Sequence, residues 1–353
     1  MTTARKDIVR SDEDGFYHCI SRCVRRAFLC GFDRFSKKSF DHRKQWVEDR
    51  IKFLVTIFPI EVFAYAIQSN HLHLLLHTMH DLCESLSKED VAKRWLLLYP
   101  KRRRPDGLPE EPNELEIQGL VSNLIRIEEL RKRLGSISWF MKSVSEYVAR
   151  RANAEDNCKG RFWEGRFKCV RLDTVAAILN CAIYIDLNPI RARLAETPEE
   201  SLFTSACTRI QALKAKKELQ KLKNTDSSIN KSNLDILELQ TRSRRDSWLS
   251  PIGTPDGILP IDLEDYLSLL DWTGRQLRMD KKGGSIPQDL APILERLGID
   301  KSHWVDSAEN FGHWFPRVAG NVQSMIQAAR DIGQKCLHGI SVAAVLFPSL
   351  ETT

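Results

Sequence analysis

Two histidines one residue apart, His71 and His73, form the most chemically specific pair in this 353-residue chain. They lie in residues 63–77, FAYAIQSNHLHLLLH, where two strand-like runs, 60–67 and 71–77, flank a polar Gln68-Ser69-Asn70 turn. That pattern predicts a β-hairpin. Strand side chains alternate faces, so His71, His73, Leu75 and His77 share one face while Leu72, Leu74 and Leu76 share the other. Two imidazoles side by side can converge on one divalent ion or can simply pack. A His-x-His-x-His hydrolase pattern needs a third histidine at position 75, where the chain has Leu, although His77 follows on the same face.

A second polar set lies in residues 173–189, DTVAAILNCAIYIDLNP. Asp173 or Thr174 can cap a helix there and Pro189 can stop it, and Val175, Ile178, Leu179, Ala182 and Ile185 fall on one apolar stripe. Asn180, Tyr184 and Asn188 recur every four positions and stack on another face. A tyrosine between two asparagines is either a hydroxyl satisfied at a domain edge or a phenol held for reaction.

Taken together, His-Leu-His on a strand and Tyr-x-x-x-Asn-Pro on a helix resemble the single-tyrosine HUH transposases, and most closely the REP-associated tyrosine transposases of the IS200-like group. Four motifs of that family occur in the expected order: Tyr17-His18, His71-Leu72-His73, the Phe162-Trp163-Glu164-Gly165-Arg166-Phe167 strand, and Tyr184 to Pro189. The match covers roughly residues 14–195 and nothing after residue 200. It implies a metal-dependent single-stranded DNA endonuclease and strand transferase that cuts near DNA hairpins. Tyr184 would attack the DNA, leaving a 5′-phosphotyrosine and a free 3′-hydroxyl able to reverse the step.

A phenol of pKa about 10 is a weak nucleophile at neutral pH and needs a polarised phosphate. His71, His73 and the side-chain oxygen of Asn188 could hold Mg²⁺ or Mn²⁺, with Gln68 as an alternative ligand and Asn188 alternatively a helix cap. Arg22, Arg25, Arg26, Arg161, Trp163, Arg166, Lys168 and Arg171 are the candidate contacts to single-stranded or hairpin DNA, through phosphates and base stacking. A homodimer and a monomer are both compatible with the chain.

The elements that must position these residues follow from the pattern. A first strand spans 15–24, a helix 41–58 turns Trp46, Val47, Ile51, Leu54 and Val55 inward, and the hairpin follows. Residues 87–99 form a helix opened by a near capping box. An insertion rich in Pro, Gly and charge occupies about 100–135, then a helix at 136–153 leads into a fourth strand at 161–170. The class is therefore α+β: a β-α-β-β-α-β, ferredoxin-like antiparallel sheet with flanking helices, the HUH endonuclease core, with the Tyr184 helix added after it.

Charge supports a nucleic-acid partner for this part. Of the net +6, residues 241–353 carry 12 Lys/Arg against 14 Asp/Glu, a net −2, which leaves +8 on residues 1–240. Residues 1–200 read as the HUH domain, 201–240 as a charged and polar linker, and 241–353 as a helical C-terminal domain of unassigned role, including a helix at 287–297. Removing that last part is expected to leave a competent catalytic half. Nine cysteines without an export signal suggest reduced thiols, and Cys19, Cys23 and Cys30 lack the spacing and fourth ligand of a zinc site. No run approaches the roughly 20 apolar residues of a membrane span. A cytoplasmic, nucleoid-associated protein is expected. Two rival readings use the same residues: a hairpin-binding regulator that does not cut, and a metal-dependent phosphodiester or nucleotide hydrolase with His77 as a further ligand. Tyr147 is the rival hydroxyl.

Overall fold

The computed structural model describes residues 7–10, 12–24, 29–33, 37–224, 233–253, 257–278, 294–295, 299 and 301–347. Arg25 and Arg26, and most of the helix expected at 287–297, lie outside the described residues. The fold is a mixed α+β arrangement around one five-stranded sheet: β1 (Gly15–Arg22), β2 (Ile60–Ile67), β3 (His71–Thr78), β4 (Lys168–Leu172) and β5 (Val318–Ala319), in the order β2-β3-β1-β4-β5. The first four pair antiparallel, and β5 joins β4 in parallel.

Period-two alternation divides the sheet's side chains between two cores. Tyr17 and Cys19 of β1 and Leu72, Leu74 and Leu76 of β3 pack in a cluster with α1 (His42–Ile57). Leu75 of β3 and Val170 and Leu172 of β4 pack in the other, with α7 (Val175–Asp186). β2 would break this rule at Phe63 and Ala64, which both belong to the α7 side; a register shift between Val62 and Ala64 resolves it.

The fourth strand is shorter than the sequence predicts. It begins at Lys168, and residues 161–167 form a loop, because the bend over Glu164, Gly165 and Arg166 interrupts the pairing. That loop is tied past the end of β1 by Val24 N–H to Phe162 O and Glu164 N–H to Arg22 O, both 2.9 Å.

Between β3 and β4 run α2 (His80–Ser85), α3 (Lys88–Leu98), α4 (Glu114–Val121), α5 (Leu124–Leu134) and α6 (Ile137–Glu155). The insertion expected at about 100–135 thus contains two helices. Asn113 and Glu116 close a reciprocal capping box on α4, and buried Arg131 of α5 donates to the carbonyls of Cys83, Glu84 and Leu86 at the end of α2. Cys19, Cys23 and Cys30 are all buried in the α1-side cluster.

The C-terminal half departs furthest from expectation. After α8 (Asn188–Arg191), residues 205–224 form α9 (Ser205–Asn224), not a polar linker, and α9 packs against β2. Its buried face supplies anchors: Tyr65 Oη lies 2.8 Å from Thr208 Oγ1, and Arg209 donates to the Phe63 and Ser250 carbonyls at 2.8 and 2.9 Å. The charged residues that suggest a linker lie on the other side of the helix. Beyond α10 (Asn233–Ser243) come α11 (Leu263–Arg278), α12 (Trp304–Trp314), β5, α13 (Val322–Asp331) and α14 (Ile340–Leu346).

These elements share a single core with α7. Tyr266, Leu269, Trp304, Phe311 and Phe315 are fully buried in the cluster that holds Leu179, Ile183 and Ile185. Burying each such side chain contributes about 1.5–3 kcal/mol. At the end of α7, buried Asp186 accepts hydrogen bonds from Ser205 Oγ, from Ala206 N–H (2.9 Å) and from Tyr266 Oη (2.7 Å), joining α7, α9 and α11. Burial raises its carboxyl above the ordinary value, and the three donors and nearby Arg209 oppose that rise. No helix among the described residues is long and apolar enough to cross a membrane.

Candidate functional site

The register of the sheet assembles one side of the site. Ile20 stands opposite both His73 on β3 and Lys168 on β4, and Arg22 stands opposite His71. His18, opposite Leu75, reaches its diagonal neighbour: His18 Nε2 lies 2.8 Å from His73 Nδ1. The His71 and His73 ring centres are 4.8 Å apart.

Helix α7 supplies the other side. Thr174 caps it by accepting from Ala177 N–H at 3.2 Å, and the helix ends at Asp186. Pro189 does not merely stop it: Pro189 opens α8, whose Asn188 is turned back toward the sheet. The Asn180, Tyr184, Asn188 stripe therefore splits. Asn180 Nδ2 donates to Ser307 Oγ of α12, while Tyr184 packs on Phe311 one turn along α12, ring centres 5.9 Å apart. The Tyr184 ring also stands edge-on to His18 and to His73, each at 5.9 Å.

Asn188 completes a chain of four polar groups. Gln68 Nε2 donates to Asn188 Oδ1 at 2.5 Å, Asn188 Nδ2 lies 3.1 Å from His73 Nε2, and His73 Nδ1 meets His18. Turning both amides by half a rotation reverses every bond in the chain. In the direction that runs from Gln68 to His18, His73 offers a lone pair at Nε2 and donates through Nδ1. The buried Nδ1 of His18 has no hydrogen-bond partner in either direction.

Two of these groups, His73 and Asn188, line a cavity of about 290 Å³. His71, His73, Tyr184 and Asn188 form part of it, and Arg22, Arg166, Lys168 and Arg191 surround them. Burial pushes the His18 imidazole down to about 3 and that of His71 down to about 4, with Arg22 and Arg191 adding to the second. Burial likewise holds His73 well below its ordinary value. All three are neutral near pH 7, which is the form that ligates metal.

No group of three His, Cys, Asp or Glu side chains among the described residues is placed to hold a metal ion. The donor set here is of another composition: two imidazoles and amide oxygens. His71 Nδ1 is engaged by Asn70 Oδ1 at 2.5 Å, which leaves Nε2 as its ligating nitrogen, and His73 has its second nitrogen held by His18. A ligating histidine is normally oriented in this way through its other nitrogen. With Asn188 or Gln68 turned to offer oxygen, the residues present fit Mg²⁺ or Mn²⁺, the imidazoles favouring Mn²⁺.

The remaining sequence candidates divide. Arg22, Arg166 and Lys168 reach the cavity, and Arg161 is exposed on the adjoining loop. Arg171 does not: it is 4% exposed and its guanidinium is bound to Asp173 through Nε–Oδ1 at 2.8 Å and Nη2–Oδ2 at 3.1 Å. The residue stays in the sheet's interior and is not a surface contact. Trp163 lies outside the cavity lining: its indole packs half-buried and donates to Ser145 O of α6 at 2.8 Å. His77 lies outside the cavity, stacked on Phe16 at 4.2 Å and 3.1 Å from Glu61 Oε2. The Tyr147 hydroxyl, on α6, accepts from Arg151.

Three contributors escape sequence reasoning. Arg191 holds its guanidinium 4.2 Å over the Tyr184 ring. Its signal is present in the Asn188-Pro189-Ile190-Arg191 run, one turn beyond the helix end. His18 stands in a family motif but without an evident task until the strands are paired. Gly312 of α12, which lies against the Tyr184 hydroxyl, carries no local signal.

No family model matches this chain, and no curated protein does. Among solved structures, a REP-associated tyrosine transposase bound to a REP hairpin matches over 60% of this chain and 86% of its own, at 12% identity and a TM-score of 0.34. A likeness at that score carries no argument about function.

Proposed function

We propose that the protein is a single-stranded DNA endonuclease and strand transferase of the HUH type, with Tyr184 as nucleophile and a divalent ion held by His71, His73 and Asn188. The observation that carries this reading is the meeting of a phenol with neutral imidazoles and four cations, set against one carboxylate, Glu164, in one cavity from four separate stretches of the chain. This reading takes the antiparallel β2-β3-β1-β4 part of the sheet as a ferredoxin-like HUH core.

In this reading Arg22, Arg166 and Lys168 draw the DNA backbone into the cavity and fix the scissile phosphate. Arg191 presses on the Tyr184 ring and keeps the phenol at the mouth, where it touches both the imidazoles and the phosphate position. The Tyr184 oxygen gives up its proton and forms a bond to phosphorus, the bond to the 3′-oxygen breaks, and that oxygen takes up one proton and leaves as a hydroxyl. The ion, when bound, polarises the phosphate and offsets its developing charge. The phosphotyrosine retains the energy of the broken linkage, so the 3′-hydroxyl can restore it.

Two rivals receive less support. A binding-only regulator has no use for a phenol beside ligand-type histidines. A hydrolase that uses His77 lacks it, since His77 is occupied with Glu61 and Phe16 outside the cavity. The deciding experiment incubates the protein with a 3′-labelled single-stranded hairpin and Mg²⁺ or Mn²⁺, then runs a denaturing gel. Label that migrates with protein supports the proposal. Shortened label free of protein points to water as nucleophile, and intact label with retained binding points to the regulator.

A further inference from the structure

Behind the sheet, on the side away from Tyr184, α1, α6 and the chain following α3 enclose a second cavity of about 610 Å³. Its lining includes Arg50, Arg103, Arg150 and Arg151 against one carboxylate, Glu146, and that carboxylate is already bound to Arg150. Arg50 is the informative member. It is half-buried, donates to the Ser143 carbonyl at 3.2 Å, and holds its guanidinium 5.1 Å from the centres of both the Phe53 and Tyr147 rings. Neither it nor Arg103 nor Arg151 pairs with a carboxylate among the described residues. Burial pushes the Arg50 guanidinium down to about 10, and nearby Arg103 adds to that. An inward-facing positive cluster of this kind lacks a counter-ion.

The neighbouring basic run shows that this is selective. Lys101 and Arg102 are bound to Glu116, and Arg104 is bound to Asp106, within their own loop and its following helix. Arg103 alone of the four lines the cavity. Aromatic rings complete the wall: Tyr147, and Tyr99 with 43% of its surface exposed. From Tyr99 the series continues through Trp95 and Trp139, with Arg133 and Lys142 over the Trp139 ring at 4.8 and 4.4 Å. Rings alternating with cations match the repeat of a single strand, which presents a phosphate and then an unpaired base face. A duplex offers no ring faces to stack.

We propose that this cavity is a second binding site for single-stranded DNA, which takes a phosphate between Arg50 and Arg103 and stacks a base on Tyr99. The loop 161–167 connects the two sites. Gly165 and Arg166 line the Tyr184 cavity, while Trp163 of the same loop is bonded to Ser145, beside Glu146 and Tyr147. A strand leaving the first cavity over exposed Arg161 reaches the second. The proposal concerns binding and stands whether or not Tyr184 cuts.

The test measures affinity of a short fluorescein-labelled oligothymidylate for the full chain across a salt series, in a Tyr184→Phe background that cannot form an adduct. Each lost phosphate contact reduces the slope of log affinity against log salt by about 0.7. Arg103→Gln, which removes one side of the phosphate seat, is therefore expected to flatten it by about 0.7. Tyr99→Ala, an exposed change that leaves the core intact, is expected to weaken binding about 5-fold or more without altering the slope. Unchanged affinity and slope in both variants, with circular dichroism intact, overturn the proposal. Displacement of the probe by polyglutamate as readily as by unlabelled oligothymidylate also overturns it, and assigns the cavity to acidic protein segments.

Discussion

Gly312 lies so close to the Tyr184 hydroxyl that a methyl group on its Cα would stand 2.7 Å from that oxygen and 3.2 Å from the ring carbon bearing it. The absence of a side chain at one point of α12 thus sets where the phenol of α7 can rest. Gly312→Ala should favour the helix by up to about 1 kcal/mol, so the fold should hold. The phenol, being the movable partner, must shift. A displacement of even about 1 Å can cost on the order of 100-fold in rate. We expect covalent adduct formation to fall at least about 10-fold with thermal stability unchanged within a few degrees. An adduct rate equal to wild type would show that the nucleophile acts from a different position.

Tyr184→Phe removes one oxygen and should abolish adduct and cleavage while leaving hairpin affinity nearly intact. Tyr147→Phe, whose lost hydroxyl accepts from Arg151 on the far side of the sheet, should leave cleavage unaltered. The paired comparison, scored on one denaturing gel, separates the two hydroxyls.

The metal assignment is checked without DNA by titrating Mn²⁺ calorimetrically. His71→Ala and His73→Ala should each reduce affinity severely, and Asn188→Ala less, because Gln68 lies within reach to take its place. Removing a group that orients a ligand typically costs 10- to 100-fold, so His18→Gln should weaken Mn²⁺ binding by about that much. Undiminished Mn²⁺ affinity in both single histidine variants would place the ion elsewhere.

A stop codon after residue 243 tests the shared core. It removes Tyr266, Trp304, Phe311 and Phe315, which cover Leu179, Ile183 and Ile185 of α7. The fragment should lose its cooperative thermal transition and aggregate. Sequence reasoning leads to the opposite expectation, a competent half-protein. A soluble fragment with a sharp melt and adduct activity would restore that view.

Glu61 on β2 accepts from Ser250 Oγ at 2.8 Å and lies 3.1 Å from His77, and the His77 bond, followed by that from Ser250, lowers its carboxyl below the ordinary value. A folded-state value below the unfolded one stabilises the fold above the ordinary carboxylate range near about 4.3, and that stability is lost as pH falls through the folded value. Glu61→Gln should therefore melt lower than wild type at neutral pH, and the gap should close as the solution is acidified below about 4. A gap that widens in acid would reverse the assigned sign.

Much of the site was legible because it rests on local periodicity. His71 and His73 share a face by strand alternation, and Thr174 caps a helix that carries Tyr184. What the sequence conceals depends on contacts between distant segments. Arg171 looks like one more surface cation until its bond to Asp173 is seen. The α9 segment looks like a linker because its charged residues outnumber the few, such as Thr208 and Arg209, that anchor it to β2. The C-terminal elements look separable since the cover they provide for α7 begins with Tyr266, 80 residues beyond Asp186.

That distance also orders events during synthesis. When α7 leaves the ribosome the side of it that faces α11 and α12 has no cover, and the segments that will cover it extend through Leu346, a further 160 residues from Asp186. At about 5–20 residues per second, the interval is roughly 8–32 s. Until Phe311 and Gly312 emerge late in it, nothing from α12 limits the travel of the Tyr184 ring. A nascent chain therefore presents a loosely held phenol, and Tyr184 acquires a defined position only once translation is nearly complete.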